Sequence, residues 1–490
     1  MHKSVFILGA VAVAAIGSVG AATAADLPMK APYLKAPVAM VYDWTGFYIG
    51  VNAGVGIGRD YTRLAIPAFP GGPTAEASYL SPTGGVGGGQ IGYNWQTGPL
   101  FLGSPMIFGV EADLQGTGLS DHRTCLLGCM PAQNSMFSQK LDWFGTVRGR
   151  IGLTEGPVMT YLTAGYAYGS VKTTLTETIG TTGAFSSNQN HGGWTWGSGI
   201  EASLGGNWSG KIEYLWLTLG NRLNAFTLNT FPQAMSTDIR EQIFRVGLNY
   251  RIGGNSVYVL PPAANWAGFY LGGNIGSGTG RDRSALNVGG VGGTTELFNL
   301  SPDGINGGIQ AGYNWQAANV VFGLEADIQG SSQRDNRACV QFCANPPVPT
   351  YAAYDATLPW FGTVRGRVGY SVGRTLFYAT GGYAYSSVKT KIVADTGFGA
   401  TAVSLSQTKG GWTVGGGIET PVTFLASLLG NNWTSKTEYL YVNLASSANA
   451  FPIPGPVATI IPAISSTGVQ EHIFRTGLNY HFNSPVVASY

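Results

Sequence analysis

The chain has 490 residues, of which only 11% are charged and 12% aromatic, with 74 glycines, a formal net charge of +2 and a mean hydropathy of +0.09. That hydropathy is far below what a bundle of membrane-spanning helices requires. The near-neutral charge, with no basic stripe, excludes nucleic acid as a partner.

Taken from the start, residues 1–25 read as a secretory signal peptide. His2-Lys3 precedes an apolar run from Val5 to Ile16, and Ala22-Thr-Ala-Ala25 supplies a small-residue cleavage site before Asp26. The run is too short to span a bilayer, and no later window is long and apolar enough to do so as a helix. Export without a membrane helix leaves the periplasm, the outer membrane or the medium. Residues 26–43, with Pro28, Pro32 and Pro37, read as an extended periplasmic lead-in.

The remainder is one unit written twice. Asp142-Trp-Phe-Gly-Thr-Val-Arg-Gly-Arg-Ile-Gly152 returns as Pro359-Trp-Phe-Gly-Thr-Val-Arg-Gly-Arg-Val-Gly369, which sets two repeats at 44–252 and 266–482. Residues 253–265, containing Pro261-Pro262, read as a linker, and 483–490 as a C-terminal tail. In an extended chain Thr146, Arg148 and Arg150 fall on one side, Val147, Gly149 and Ile151 on the other. Such alternation predicts a transmembrane β-strand with a polar lumen on one face and lipid on the other.

Eight alternating segments are expected in the first repeat, near 44–58, 85–96, 106–117, 142–153, 158–172, 192–204, 207–219 and 240–252. The second has counterparts near 266–278, 304–316, 320–331, 359–370, 375–389, 410–420, 432–444 and 471–482. Each is close to the ~9–11 residues that a tilted strand needs to cross a bilayer. Between them, 59–84, 118–141, 173–191 and 220–239 are long and rich in Gly, Pro, Ser, Thr and Asn and are expected to be loops, whereas 154–157 and 205–206 are tight turns. Long connections on one side and short ones on the other predict an antiparallel up-and-down barrel with its turns in the periplasm. The fold class is therefore all-β, as two tandem eight-stranded transmembrane barrels or, alternatively, one sixteen-stranded barrel. The turn at 421–431 is longer than its counterpart. Trp44, Phe47, Tyr48, Trp143, Phe144 and Tyr250 are expected in the aromatic girdles.

Ionisable residues recur at matching places in the repeats. Glu111, Asp113, Arg148, Arg150, Glu201, Lys211, Glu213 and Arg245 stand in the first; Glu325, Asp327, Arg365, Arg367, Glu419, Lys436, Glu438 and Arg475 stand in the second. Each set balances four acids with four bases, alternating with apolar neighbours, so each is expected to point inward together. Eight strands enclose a space only just wide enough for side chains to fill, so the groups are expected to pair with one another and plug the lumen. A catalytic reading, with Glu111 and Asp113 in acid–base roles, lacks a clustered nucleophile. No cofactor or metal site is expected: His2, His122, His191, His472 and His481 are scattered, and the glycine run from Gly84 to Gly92 lacks the following Lys-Ser/Thr of a phosphate loop. Cys125 with Cys129, and Cys339 with Cys343, are spaced too widely for a C-x-x-C site. In an exported chain they are expected as disulfides, local to each repeat or crossed between them.

Trp44-x-Gly-Phe-Tyr, Gly92-Tyr-Asn-Trp95, Gly109-Val-Glu-Ala-Asp113, Val147-Arg-Gly-Arg-Ile-Gly152, Gly165-Tyr-Ala-Tyr168, Gly193-Trp194 with Gly199-Ile-Glu201, and Lys211-x-Glu-Tyr214 recur at Trp266, Gly312, Gly323, Val364, Gly381, Gly411 and Lys436. These motifs resemble the alphaproteobacterial outer-membrane immunogenic proteins of the opacity-protein-like porin family. The endings Arg245-Val-Gly-Leu-Asn-Tyr-Arg-Ile252 and Arg475-Thr-Gly-Leu-Asn-Tyr-His-Phe482 are similar to the last-strand signal read by the barrel-assembly machinery. The resemblance implies a non-enzymatic protein of a Gram-negative outer membrane, in contact with lipid, lipopolysaccharide and that machinery, with loops that meet host or environmental ligands. Family members are usually single barrels, whereas this chain is doubled. The expected function is a structural, surface-exposed barrel protein with plugged lumens. The alternatives are a sixteen-stranded porin for small solutes, or loop-mediated capture of a ligand such as haem.

Overall fold

A computed structural model describes residues 42–67, 74–101, 104–124, 133–179, 181–253, 263–288, 294–338, 351–395, 400–422, 430–454 and 460–482. The expected signal peptide, most of the lead-in, most of the linker and of the 421–431 turn, the tail and all four cysteines lie outside these residues. The described chain is strand throughout, with no helix long and apolar enough to cross a membrane, which does not bear on strands.

The first repeat forms β1 (Gly46–Gly58), β2 (Asp60–Ile66), β3 (Thr74–Leu80), β4 (Thr83–Phe101), β5 (Ser104–Thr117), β6 (Ser120–Thr124), β7 (Gln133–Glu155), β8 (Val158–Ile179), β9 (Thr181–Gly205), β10 (Trp208–Leu228) and β11 (Phe231–Ile252). The second forms β12 (Gly268–Val288), β13 (Thr294–Leu300), β14 (Asp303–Ala317), β15 (Val320–Ala338), β16 (Tyr351–Val372), β17 (Thr375–Asp395), β18 (Ala400–Pro421), β19 (Trp433–Pro454) and β20 (Ile460–His481).

Each repeat closes its own antiparallel sheet. The first runs β1-β4-β5-β7-β8-β9-β10-β11 and returns to β1, Phe47 facing Ile252 and Gly58 facing Glu241. Short β2, β3 and β6 prolong three of these eight staves beyond a break. The second runs β12-β14-β15-β16-β17-β18-β19-β20 and closes β12 on β20, with β13 prolonging one stave. No strand of one sheet pairs with the other among the described residues, so the single sixteen-stranded alternative is not the arrangement adopted.

The strands run well past the expected lengths. Stretches 173–191 and 220–239, expected as loops, are mostly ladder: β8 pairs β9 as far as Ile179 with Thr181, and β10 pairs β11 as far as Leu228 with Phe231. The second hairpin closes on Asn229 and Thr230, both at positive φ, the two-residue turn whose twist matches its strands. Beyond the bilayer a strand's outer face needs no apolar residues, so polar Thr- and Ser-rich sequence remains compatible with a ladder. Stretches 59–84 and 118–141 likewise contain β2, β3, β6 and the start of β7.

Period-two alternation places lipid on one face. Phe47, Ile49 and Val51 on β1, Val147 and Ile151 on β7, and Val246, Leu248, Tyr250 and Ile252 on β11 are exposed to the outside. That same period moves three of the expected girdle aromatics inside. Phe47 and Tyr250 face outward and Trp143 is half-buried, whereas Trp44, Tyr48 and Phe144 are buried in the barrel. Adjacent residues point to opposite faces, so Phe47 and Tyr48, or Trp143 and Phe144, cannot share a girdle.

Candidate functional site

The interior of each barrel is layered. At the end that carries the short turns, Tyr42, Trp44, Ile107, Met159 and Tyr161 pack together in the first barrel, and Ala264, Trp266, Val321, Leu376 and Tyr378 in the second. The Trp44 indole donates to the carbonyl of Gly156 in such a turn at 3.0 Å.

Next comes the charged layer. Arg148 donates through Nη1 to Glu213 at 3.2 Å and through Nη2 to Asp113 at 2.8 Å and to Glu111. Arg150 reaches Glu201 at 2.8 Å and Glu111 at 3.3 Å. Arg245 joins Asp113 at 2.8 Å and Glu213, and Lys211 donates to both oxygens of Glu111 at 2.9 and 3.0 Å. Since β5 and β10 stand four staves apart in a ring of eight, the Lys211–Glu111 contact crosses the full lumen.

The second barrel repeats this wiring. Arg365 joins Glu438 and Asp327, each at 2.9 Å, and Glu325; Arg367 joins Glu419 at 2.9 Å. Arg475 joins Asp327 at 2.8 Å and Glu438 at 2.7 Å, and Lys436 reaches both oxygens of Glu325 at 2.8 Å. All sixteen residues singled out in the sequence thus lie in two clusters of eight, every one buried.

Sequence reasoning missed the tyrosines that complete these clusters. Tyr48 donates to Glu111 at 2.8 Å and Tyr161 to Glu213 at 2.7 Å; Tyr270 and Tyr378 do the same for Glu325 at 2.7 Å and Glu438 at 2.9 Å. The Arg150 guanidinium lies 4.0 Å from the Tyr161 ring centre. The signal was present in the Gly-Tyr motif. A Cβ on Gly92 would stand 2.3 Å from the Tyr48 hydroxyl, and one on Gly312 equally close to that of Tyr270. Glycine there clears the space through which the tyrosine reaches its carboxylate.

Above the charges the lumen is filled with hydrocarbon, including Phe144, Leu215, Leu217, Leu219 and Ile243 in the first barrel and Phe361, Leu440, Val442 and Leu444 in the second. Set in this layer is a second recurrent feature missed in the sequence: a carboxyl pair, Asp60 with Glu241, and Asp282 with Glu471, all buried. Gln139 donates to Asp60 at 2.5 Å, and Gln333 donates to Glu471. On the outside of β11, next to Glu241, Arg240 pairs with Asp238 at 2.8 Å.

Known proteins fit this construction. The model of the outer membrane protein beta-barrel domain matches residues 11–251 and again 253–482. The chain belongs to the outer membrane protein β-barrel family, present in two copies. It is 34% identical over 238 residues to the 31 kDa outer-membrane immunogenic protein of Brucella melitensis, covering 47% of this chain and 93% of that protein. It is 34% identical over 187 residues to the 22 kDa outer membrane protein of Rhizobium leguminosarum bv. viciae, covering 38% and 68%. Among solved structures it is similar to Neisserial surface protein A, at 14% identity and a TM-score of 0.19, over 44% of this chain and 98% of that one. The family member described here is a protein of a Gram-negative outer membrane, where its apolar band meets lipid.

Proposed function

We propose that this outer-membrane barrel protein is structural and surface-exposed, with both lumens plugged. The barrel domains span 44–252 and 266–482, joined by the linker 253–265. On this reading residues 1–25 are the signal peptide, 26–43 the lead-in and 483–490 a tail. The barrel-assembly machinery engages the endings at Arg245–Ile252 and Arg475–Phe482. Cys125 with Cys129 and Cys339 with Cys343 form a local disulfide in each repeat, and the tips between strands meet ligands at the cell surface without catalysis.

The observation that carries this proposal is the Lys211–Glu111 contact across the lumen, with its counterpart Lys436–Glu325. An ion entering would have to part fully buried, mutually paired charges and then pass a hydrocarbon layer, which is the opposite of an aqueous pore. Reconstitution of the full chain in planar bilayers tests it. The expected result is no sustained conductance at either polarity, and large steady channels would refute the plugged reading in favour of a diffusion porin.

A further inference from the structure

The two barrels meet along their outer faces, and matching residues exchange roles across the junction. Tyr214 stacks on Phe474 at 5.5 Å between ring centres, and Phe244 lies 5.3 Å from Tyr439. Farther out, Arg281 bonds Asp121 at 2.8 Å, and Arg59 bonds Asp335. Toward the short turns the barrels touch again, Ile418 packing against Val158, Ile200 and Ala202.

Between the aromatic contact and this lower one the barrels stand apart, leaving a cavity of about 920 Å³ whose lining is almost wholly carbon. Its walls are lipid-facing residues of both barrels, Ala53, Val246 and Leu248 opposite Val320, Val368 and Ala379. Water has few polar partners there, and the adjoining solvent at this level is the bilayer. The space is continuous with the inter-barrel junction, with Phe244, Tyr439 and Phe474 of the ring contact in its lining. Its lining also includes Leu204, beside the turn before β10, and Val320, the first residue of β15. Short turns mark the periplasmic side of such barrels, and the periplasmic leaflet of an outer membrane is built of glycerophospholipid. A methylene occupies about as much room as a water molecule, roughly 30 Å³, so the cavity matches the paired acyl chains of one phospholipid.

We propose that this cavity is a binding site for one glycerophospholipid of the periplasmic leaflet, whose acyl chains fill the gap between the barrels. The test uses the full chain extracted from outer membranes in mild detergent, with retained lipid measured by native mass spectrometry and by extraction. About one phospholipid per chain is expected to survive extensive detergent exchange. In the double variant Ala53→Phe/Ala379→Phe, which places two rings in the cavity from opposite walls, retention is expected to fall at least fivefold while heat-modifiable migration, which reports folded barrels, is unchanged. Ala53→Ser/Ala379→Ser, altering the same positions without filling the space, is expected to retain the lipid. Absence of retained phospholipid in the native chain, equal retention in the filled variant, or lipopolysaccharide in its place would each overturn the assignment.

Discussion

At the scale of single residues, the charged layer depends on every member having a partner. Arg148 faces Glu111, Asp113 and Glu213 at once. Arg148→Met should leave three buried carboxylates short of positive charge and cost about 3–5 kcal/mol, read as a lower urea midpoint for loss of heat-modifiable migration. A midpoint equal to that of the native chain would mean that the network contributes no net stability. The glycines beside the tyrosines give a sharper case. A methyl at Gly92 would collide with the Tyr48 hydroxyl, so Gly92→Ala is expected to cost about 1–3 kcal/mol. The methyl would also meet Tyr48 Cζ at 2.4 Å and the Val110 carbonyl oxygen at 2.6 Å, so Tyr48→Phe, which removes only the hydroxyl, is not expected to recover the loss in the same unfolding assay.

At the scale of elements, the hairpins run longer than the sequence suggested. Apolar alternation marks only the part of a stave that touches lipid, whereas backbone pairing continues wherever both neighbours remain extended.

At the scale of the whole molecule, the duplication produced a junction in which equivalent residues swap places, as in an isologous dimer interface. Arg59 of the first barrel meets Asp335 of the second, and Arg281 of the second meets Asp121 of the first; Asp335 and Asp121 each also accept a backbone N–H, from Ser301 and Ser81, at 2.8 Å. Reversing one charge with Asp335→Arg should loosen the junction, and adding Arg59→Asp should restore it. A coupling of about 0.5–3 kcal/mol is expected in a double-mutant cycle read by urea unfolding of the full chain. Additive effects would show that the ion pair does not hold the barrels together.

Alternation and internal repetition are local properties that survive without coordinates, so the class of fold, the doubling and the sixteen charged residues are legible in the chain alone. Whatever depends on distance through space emerges only in the folded molecule. Two sheets close separately because β1 finds β11 and β12 finds β20, a choice of partner that no residue spacing encodes. Tyr48 and Tyr161 join the charges, and Asp60 meets Glu241, only once curvature brings distant staves to face one another. The inter-barrel cavity arises the same way: each wall is written as ordinary lipid-facing strand, and only the angle at which two such walls meet leaves a space between them.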